Sequence, residues 1–250
     1  MLSGRRIVIT RSATDNRSLA ASLAALGAAV IEAPLVEVLP PADNGAALLR
    51  AAERLSSYRW VVLTSANAVD ALAAALAEVS PEQTWPEHVM VAPVGPTTEA
   101  AAKACGFVVA DAPAIATAEA LVAAFPTPDG LNGDRVLAPL AELASDTVAT
   151  GLSSMGYSVD RVTAYRTAAP AAGVADVPGN ADAVMFFSPS VLDRFVARFG
   201  VASVPKVVIC IGPSTAARAA THGLSGIVTA SPHTEAGVVA AAREVLGAGR

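Results

Sequence analysis

The chain lacks any long apolar run, although 53% of its 250 residues are hydrophobic and its mean hydropathy is +0.50. Its longest stretch free of Asp, Glu, Lys and Arg is 219–234, 16 residues broken by His222, Pro232 and several Gly and Ser. A membrane-spanning helix needs about 20 apolar residues and no fewer than about 17. The hydrophobicity therefore belongs to many short core elements, and no membrane partner is expected. The first six residues carry no apolar signal segment, so a cytoplasmic location is expected. Charged residues are few, at 16%, and 17 Lys and Arg against 22 Asp and Glu leave a net −5. Only Lys103 and Lys206 are lysines, and there is no basic run. Nucleic acid, which calls for a basic face, is not an expected partner. Cys105 and Cys210 stand far apart without a Cys-x-x-Cys pair, which argues against zinc ribbons, redox dithiols and disulfide scaffolds. His88, His222 and His233 share no metal-ligand spacing. Also missing are Gly-x-Gly-x-x-Gly after a strand, the Gly-Lys-Ser/Thr phosphate loop, Gly-x-Ser-x-Gly and His-Glu-x-x-His.

What is present is an alternation of short apolar runs with helix-period segments. Apolar runs at 7–10, 60–63, 89–94, 135–138, 183–187 and 206–211 are each followed by a stretch with apolar residues at helical spacing. Leu19, Leu23 and Leu26 share one such face; Val191, Phe195 and Phe199 share another. Several helices stop at glycine, at Gly27, Gly106, Gly156 and Gly223. Unbroken apolar strands between amphipathic helices predict a parallel sheet covered on both faces, the α/β class.

The chain also repeats itself. Gly95–Gly106 (GPTTEAAAKACG) matches Gly212–Gly223 (GPSTAARAATHG) at six of twelve positions without a gap. Upstream, 61–70 aligns with 184–193, placing Ser65 opposite Ser188; downstream, Thr117 aligns with Thr234. Leu23-x-x-x-Gly27-x-x-Val30 recurs as Leu152-x-x-x-Gly156-x-x-Val159. The order is A (about 5–34), B (60–124), A′ (134–163), B′ (182–246), two lobes of about five strands each. The simple pairing is A with B and A′ with B′. The second strands, however, run on over 29–39 and 157–167, beyond the usual length of about 5–6 residues. Two such strands could leave their sheets and cross as a two-stranded bridge. Lobe one would then be 1–34 plus 168–250, lobe two 39–163, with 35–38 and 164–167 as linker strands.

Ligands of doubly wound sheets bind beyond the carboxyl ends of the strands. Those ends carry Thr10-Arg11-Ser12, Thr64-Ser65-Ala66-Asn67, Gly95-Pro96-Thr97-Thr98, Ser188-Pro189-Ser190, Gly212-Pro213-Ser214-Thr215 and Ser231-Pro232-His233-Thr234. Any one Ser or Thr there reads first as an ordinary N-cap. Six sets together make rims of helix N-termini, which attract anions without Lys or Arg. A cleft between two such lobes would suit a ligand with several carboxylates or phosphates. Arg11 reads as a cation in an otherwise uncharged rim, either solvated or binding a carboxylate. Glu142 reads as a first-turn acid facing a helix dipole. Tyr165 falls in the proposed bridge, where a phenol facing the cleft could act as a weak general acid. His222 and His233 read as caps or surface.

These segments, in this order, resemble uroporphyrinogen-III synthase: Thr10-Arg11, Leu63-Thr64-Ser65-Ala66-Asn67-Ala68-Val69, Val94-Gly95-Pro96-Thr97-Thr98, Tyr165-Arg166-Thr167, Phe187-Ser188-Pro189-Ser190 and Ile211-Gly212-Pro213-Ser214-Thr215. The resemblance spans about 5–246. It implies two similar doubly wound, flavodoxin-like lobes joined by a two-stranded linker, the first built from both chain ends. It implies the cyclising dehydration of hydroxymethylbilane with inversion of its last pyrrole ring, in tetrapyrrole biosynthesis, without metal or organic cofactor. It implies Tyr165 as the catalytic residue, and Thr10, Arg11, Ser12, Thr64, Ser65, Ser188, Ser190, Gly212, Pro213, Ser214 and Thr215 as substrate contacts. Ser12, where proline commonly stands, and Ser214, where threonine is common, depart from the family pattern. The partner is then the small-molecule bilane, with the protein a monomer in transient contact with the preceding pathway enzyme. The residues also leave room for a bilobal sensor of a polyanionic small molecule, or for an enzyme of nucleotides or sugar phosphates; the missing glycine fingerprints argue against the latter.

Overall fold

Short Val-, Ile- and Leu-rich runs form the strands, and alanine-rich amphipathic segments form helices that return the chain to the same edge of the sheet. The computed structural model describes residues 1–80, 84–130, 134–170 and 179–247. In chain order these hold β1 (Arg6–Ile9), α1 (Ala13–Ala25), β2 (Ala29–Glu32), β3 (Glu37–Leu39), α2 (Ala46–Glu53), β4 (Trp60–Leu63), α3 (Ala66–Val79), β5 (Met90–Pro93) and α4 (Pro96–Ala104). They continue with α5 (Ala118–Ala124), β6 (Arg135–Ala141), α6 (Thr147–Ser154), β7 (Ser158–Ala168), β8 (Ala183–Phe186), α7 (Pro189–Phe199), β9 (Val207–Cys210), α8 (Pro213–Thr221), β10 (Ile227–Thr229) and α9 (Glu235–Gly247). The chain divides into two units, one of Met1–Glu37 with Ala168–Arg250 and another of Val38–Thr167. Among the described residues no helix is long and apolar enough to cross a membrane.

The first unit's sheet runs β2-β1-β8-β9-β10, every pair parallel. This is the flavodoxin-like order, in which the direction of winding reverses between β1 and β8. Strand alternation divides the core in two. Ile7, Ile9, Met185 and Ile209 meet Leu19 and Leu23 of α1 and Val238 and Ala242 of α9. Val8, Val184, Phe186 and Val208 meet Leu192 and Phe195 of α7 and Ala219 of α8. Each large side chain so buried contributes roughly 1.5–3 kcal/mol, and both faces are covered, as an all-parallel sheet requires.

The second unit's sheet runs β3-β7-β6-β4-β5, with β7-β6-β4-β5 parallel throughout. Val61, Leu63, Val91 and Leu137 face one cluster with Leu48 of α2, Leu72 of α3 and Ala102 of α4. Val62, Ala92 and Val136 face the other, with Leu121 of α5 and Leu152 of α6. Strands β7-β6-β4-β5 repeat the spatial order β2-β1-β8-β9, with the fifth strand on the opposite edge, beside β7 instead of β5; because β6 and β7 follow β4 and β5 in the chain, the winding reverses between β6 and β4. Helix α2 has no counterpart among the sequence expectations. Gly27 and Gly156, at equivalent places after α1 and α6, have φ of +88° and +104°, the left-handed turn that glycine adopts without a Cβ penalty.

The long strand expected over 29–39 is broken into β2 and β3. Pro34 falls in the gap; it has no N–H for the ladder and restricts the residue before it. The flanking amides stay anchored, Ala33 N–H donating to the Ile9 carbonyl at 2.9 Å and Leu35 N–H to that of Thr10 at 3.2 Å. The other long strand, β7, runs unbroken for 11 residues.

At the amino edge of the second sheet, Tyr58 OH donates to Asp160 Oδ2 at 2.6 Å. Arg135 donates to the same oxygen at 2.7 Å, and its guanidinium lies 4.9 Å from the Tyr58 ring centre. Burial, reinforced by the hydrogen bond to Asp160, pushes the Tyr58 phenol up to about 12. Burial opposes the Asp160 carboxylate, but hydrogen bonds from Tyr58 and Arg135 outweigh it and hold its pKa below the usual value. Asp160→Asn is expected to lower the unfolding free energy at pH 7 by about 1–3 kcal/mol. That difference should be full above the unfolded carboxyl value of about 3.9 and vanish as the pH falls through the lower folded value. Urea unfolding of both proteins across pH 2–7 reads this; a gap that persists at pH 2 contradicts it. Residues 38–167 are contiguous, and as an isolated fragment they are expected to unfold cooperatively by circular dichroism.

Candidate functional site

In both units the strands end where the following helices begin, so each sheet has one rim of helix N-termini. On the first unit's rim, Ser12 caps α1 by accepting the Asp15 N–H at 3.2 Å, and Ser188 caps α7 by accepting that of Val191 at 3.3 Å. Helix α8 starts at Gly212, which offers no side-chain cap, with Pro213 in the first turn. First-turn amides have no acceptor inside their own helix, and together with the helix dipole they favour an anion. Ser190, Pro213 and Ser214 belong to this rim and are exposed, while Ser188 is half-buried and Gly212 is buried. Ser190 Oγ lies 3.1 Å from Ser188 Oγ. The His233 ring lies over Gly212, where a Cβ would be 3.7 Å from its Cγ.

Of the expected contacts, Thr10, Ser12, Gly212 and Thr215 are buried. Thr10 is fully buried, and its hydroxyl donates to the Met185 carbonyl at 2.7 Å, tying β1 to β8 at the point where the winding reverses. Thr215 is 1% exposed. The Thr10 hydroxyl thus ties the rim from beneath. The expectation of Arg11 as a cation in an uncharged rim is corrected. Its Nη1 donates to Glu235 Oε2 at 3.0 Å, its Nη2 is 3.6 Å from Asp15 Oδ1, and its guanidinium lies 4.8 Å from the Phe187 ring centre. Sequence reasoning also missed Asn16, which is fully buried and donates from Nδ2 to the Arg11 carbonyl at 3.2 Å. A polar residue inside the first turn of α1 was a readable signal for Asn16. Glu235 had none, because it lies 224 residues from Arg11 in the chain.

On the second unit's rim, Ser65 caps α3 by accepting the Ala68 N–H at 3.2 Å. Its hydroxyl is 3.0 Å from Tyr165 OH, and either group can donate. Tyr165 is half-buried, its ring packed on the core that contains Leu63 and Leu137. The Tyr165 carbonyl accepts the Glu142 N–H at 2.9 Å, which fixes the strand where the ring leaves the sheet. Ser65 follows β4, and Tyr165 is beside the end of β6, so the pair flanks this unit's winding reversal, where doubly wound sheets open a ligand crevice. Thr64 is half-buried beside them. Glu142 is exposed in the turn ahead of α6, which begins only at Thr147. The expectation of a first-turn acid is therefore corrected. Helix α4 begins at Gly95-Pro96, and its Thr98 is buried at 5% exposure, just as α8 begins at Gly212-Pro213 above buried Thr215. Among the described residues no three His, Cys, Asp or Glu side chains group as metal ligands.

Both units are thus doubly wound α/β modules whose carboxyl edge is built of helix starts, a class suited to anionic small molecules. A family model described as "Uroporphyrinogen-III synthase HemD" matches residues 17–240, and the chain belongs to the uroporphyrinogen-III synthase family. A uroporphyrinogen-III synthase of Synechococcus elongatus is 35% identical over 171 residues, 68% of this chain and 63% of its own length. The porphyrin biosynthesis protein HemD of Ruminiclostridium josui is 28% identical over 233 residues, 91% of this chain and 46% of its own. The chain therefore spans less than two thirds of either curated relative. Among solved structures, the Helicobacter pylori uroporphyrinogen-III synthetase has a TM-score of 0.60 at 16% identity, covering 96% of this chain and 99% of its own. A mutant Thermus thermophilus uroporphyrinogen III synthase has a TM-score of 0.58 at 15% identity, covering 98% of this chain and 99% of its own. At such identities the likeness speaks for the fold.

Thr10→Val keeps the shape and removes the buried donor from the Met185 carbonyl. It is expected to cost about 1–3 kcal/mol in denaturant unfolding, whereas exposed Ser190→Ala should stay within about 0.5 kcal/mol. Equal effects would remove Thr10 from its tie between β1 and β8.

Proposed function

We propose that the chain is a cytoplasmic uroporphyrinogen-III synthase that closes hydroxymethylbilane to uroporphyrinogen III without metal or organic cofactor. The family match over 17–240 carries the reading. At residue level, the rims of amide-bearing helix starts support it, because the substrate has eight carboxylates and such rims bind anions without clustered lysines. Ser12, Ser65, Ser188, Ser190 and the Gly212–Thr215 turn are the proposed contacts, chiefly through the main chain, with Arg11 as the side-chain cation.

The bilane's electron-rich pyrroles expel the terminal hydroxyl, which leaves as water once it takes a proton. Tyr165 is the proposed donor. Ser65 Oγ already accepts the Ala68 N–H, so its own hydrogen can go to the phenol oxygen, leaving the phenol hydrogen for the departing hydroxyl. The resulting azafulvene cation is attacked by the substituted carbon of the last ring. The spiro intermediate fragments and recloses, and loss of a ring proton, which replaces the one Tyr165 gave up, restores the pyrrole. The net change is one water lost. The enzyme's main contribution is to hold the reacting ends in the inverting geometry, so strong acids and bases are not needed.

Tyr165→Phe is expected to lower kcat about ten-fold, with KM and thermal unfolding unchanged. That is less than the roughly 10²–10⁴ of full general-acid catalysis, because the pyrroles themselves drive the departure. The assay supplies freshly made hydroxymethylbilane and resolves isomers III and I. Unchanged turnover in the variant removes Tyr165 from the chemistry, and a wild type that leaves only spontaneous isomer I overturns the enzyme reading.

A further inference from the structure

The pairing of Arg11 bears on how the first unit's rim admits a polyanion. Arg11 follows β1 and its guanidinium reaches Phe187, which follows β8, with the ring centre 4.8 Å away. Ligands of this fold class bind where those two strands end. The guanidinium faces two carboxylates, Glu235 Oε2 at 3.0 Å and Asp15 Oδ1 at 3.6 Å. One positive charge against two negative ones leaves this cluster net negative.

The two acids are not equivalent. Asp15 belongs to the cap of α1: its amide donates to Ser12 Oγ at 3.2 Å, and its carboxylate accepts the Ser12 hydroxyl at 2.8 Å. Glu235 caps nothing, since the start of α9 is closed by Thr234 Oγ1, which accepts the Gly237 N–H at 3.2 Å. Glu235 has a second anchor in Ser18, whose hydroxyl donates to Oε1 at 2.9 Å. It can therefore release Arg11 without losing its place. Both partners are partly exposed, 25% and 32%, and ion pairs of that kind are weak. A planar guanidinium already held over an aromatic ring is pre-set for a paired contact with another carboxylate.

We infer that Glu235 is a positioning residue that occupies Arg11 in place of a substrate carboxylate and yields it when substrate binds. The inference rests on the proposed function and adds the residue that sets the affinity of this contact. Nothing that caps or supports α1 or α9 has to change for the exchange. The exchange admits ligands whose carboxylate can outcompete a tethered one, and it disfavours single weak anions.

Glu235→Gln keeps the size of the side chain and an acceptor for Ser18 while removing the competing charge. Its KM for hydroxymethylbilane is expected to fall about two- to five-fold with kcat unchanged, an effect that a purely structural ion pair would not produce. In an Arg11→Ala background the same substitution should give no further gain. An unchanged or raised KM overturns the inference, as does an equal fall when Arg11 is absent. Binding of uroporphyrin, an octacarboxylate followed by its fluorescence, reads the same exchange without turnover, and Glu235→Gln should tighten it by a similar factor. A wild type that binds uroporphyrin but does not cyclise the bilane would sink the proposed function alone, whereas an affinity that Glu235→Gln leaves unimproved sinks this inference.

Discussion

Parallel strand pairing is the constraint from which the rest of this structure follows. Adjacent parallel strands cannot be joined by a tight turn, so the chain returns each time through a helix. Every such helix then begins at the carboxyl edge of its sheet, and its first-turn amides gather there with those of its neighbours. Ser12, Ser65 and Ser188 each take one of those amides, and the others keep their partial positive charge. A chain with only two lysines can thus offer rims suited to anions, made from backbone.

Charged side chains stand at both edges of the sheets; at the carboxyl edge of the second, Arg161 pairs with Asp146 at the start of α6. In the second unit the tight ionic cluster of Tyr58, Arg135 and Asp160 lies at the amino edge, away from the helix starts. At the other edge the Ser65–Tyr165 hydroxyl pair is uncharged. In the first unit a cation does reach the rim, but it is matched by Glu235 and Asp15. Backbone donors are placed by the fold itself, whereas a guanidinium's availability depends on which acids stand near it.

Much of this was legible in residue order. The alternation of apolar runs with helical-period segments reads as α/β because both faces of a parallel sheet are buried, so its strands lose the polar half of the usual alternation. The Gly95–Gly106 and Gly212–Gly223 match is mirrored in α4 and α8, which both start at Gly-Pro and both bury a threonine in the first turn. Helix α2 was not foreseen, although Leu48, Ala51, Ala52 and Leu55 stand at helical spacing, because it follows the short β3 rather than one of the six apolar runs. The break at Pro34 was also readable, yet the hydrophobic continuity of 29–39 concealed it.

Local chemistry, then, is what residue order settles: which segments become strands or helices, where a serine can cap, and where a proline interrupts a ladder. These depend on neighbours within a turn or two. Partners across the fold are another matter. That Thr10 faces the Met185 carbonyl rather than solvent, that Arg11 is answered by Glu235, and that Ser65 meets Tyr165 are results of strand order and register. Those are decided when separate segments bury their apolar faces together, a free-energy balance of the whole unit that no short stretch of sequence contains.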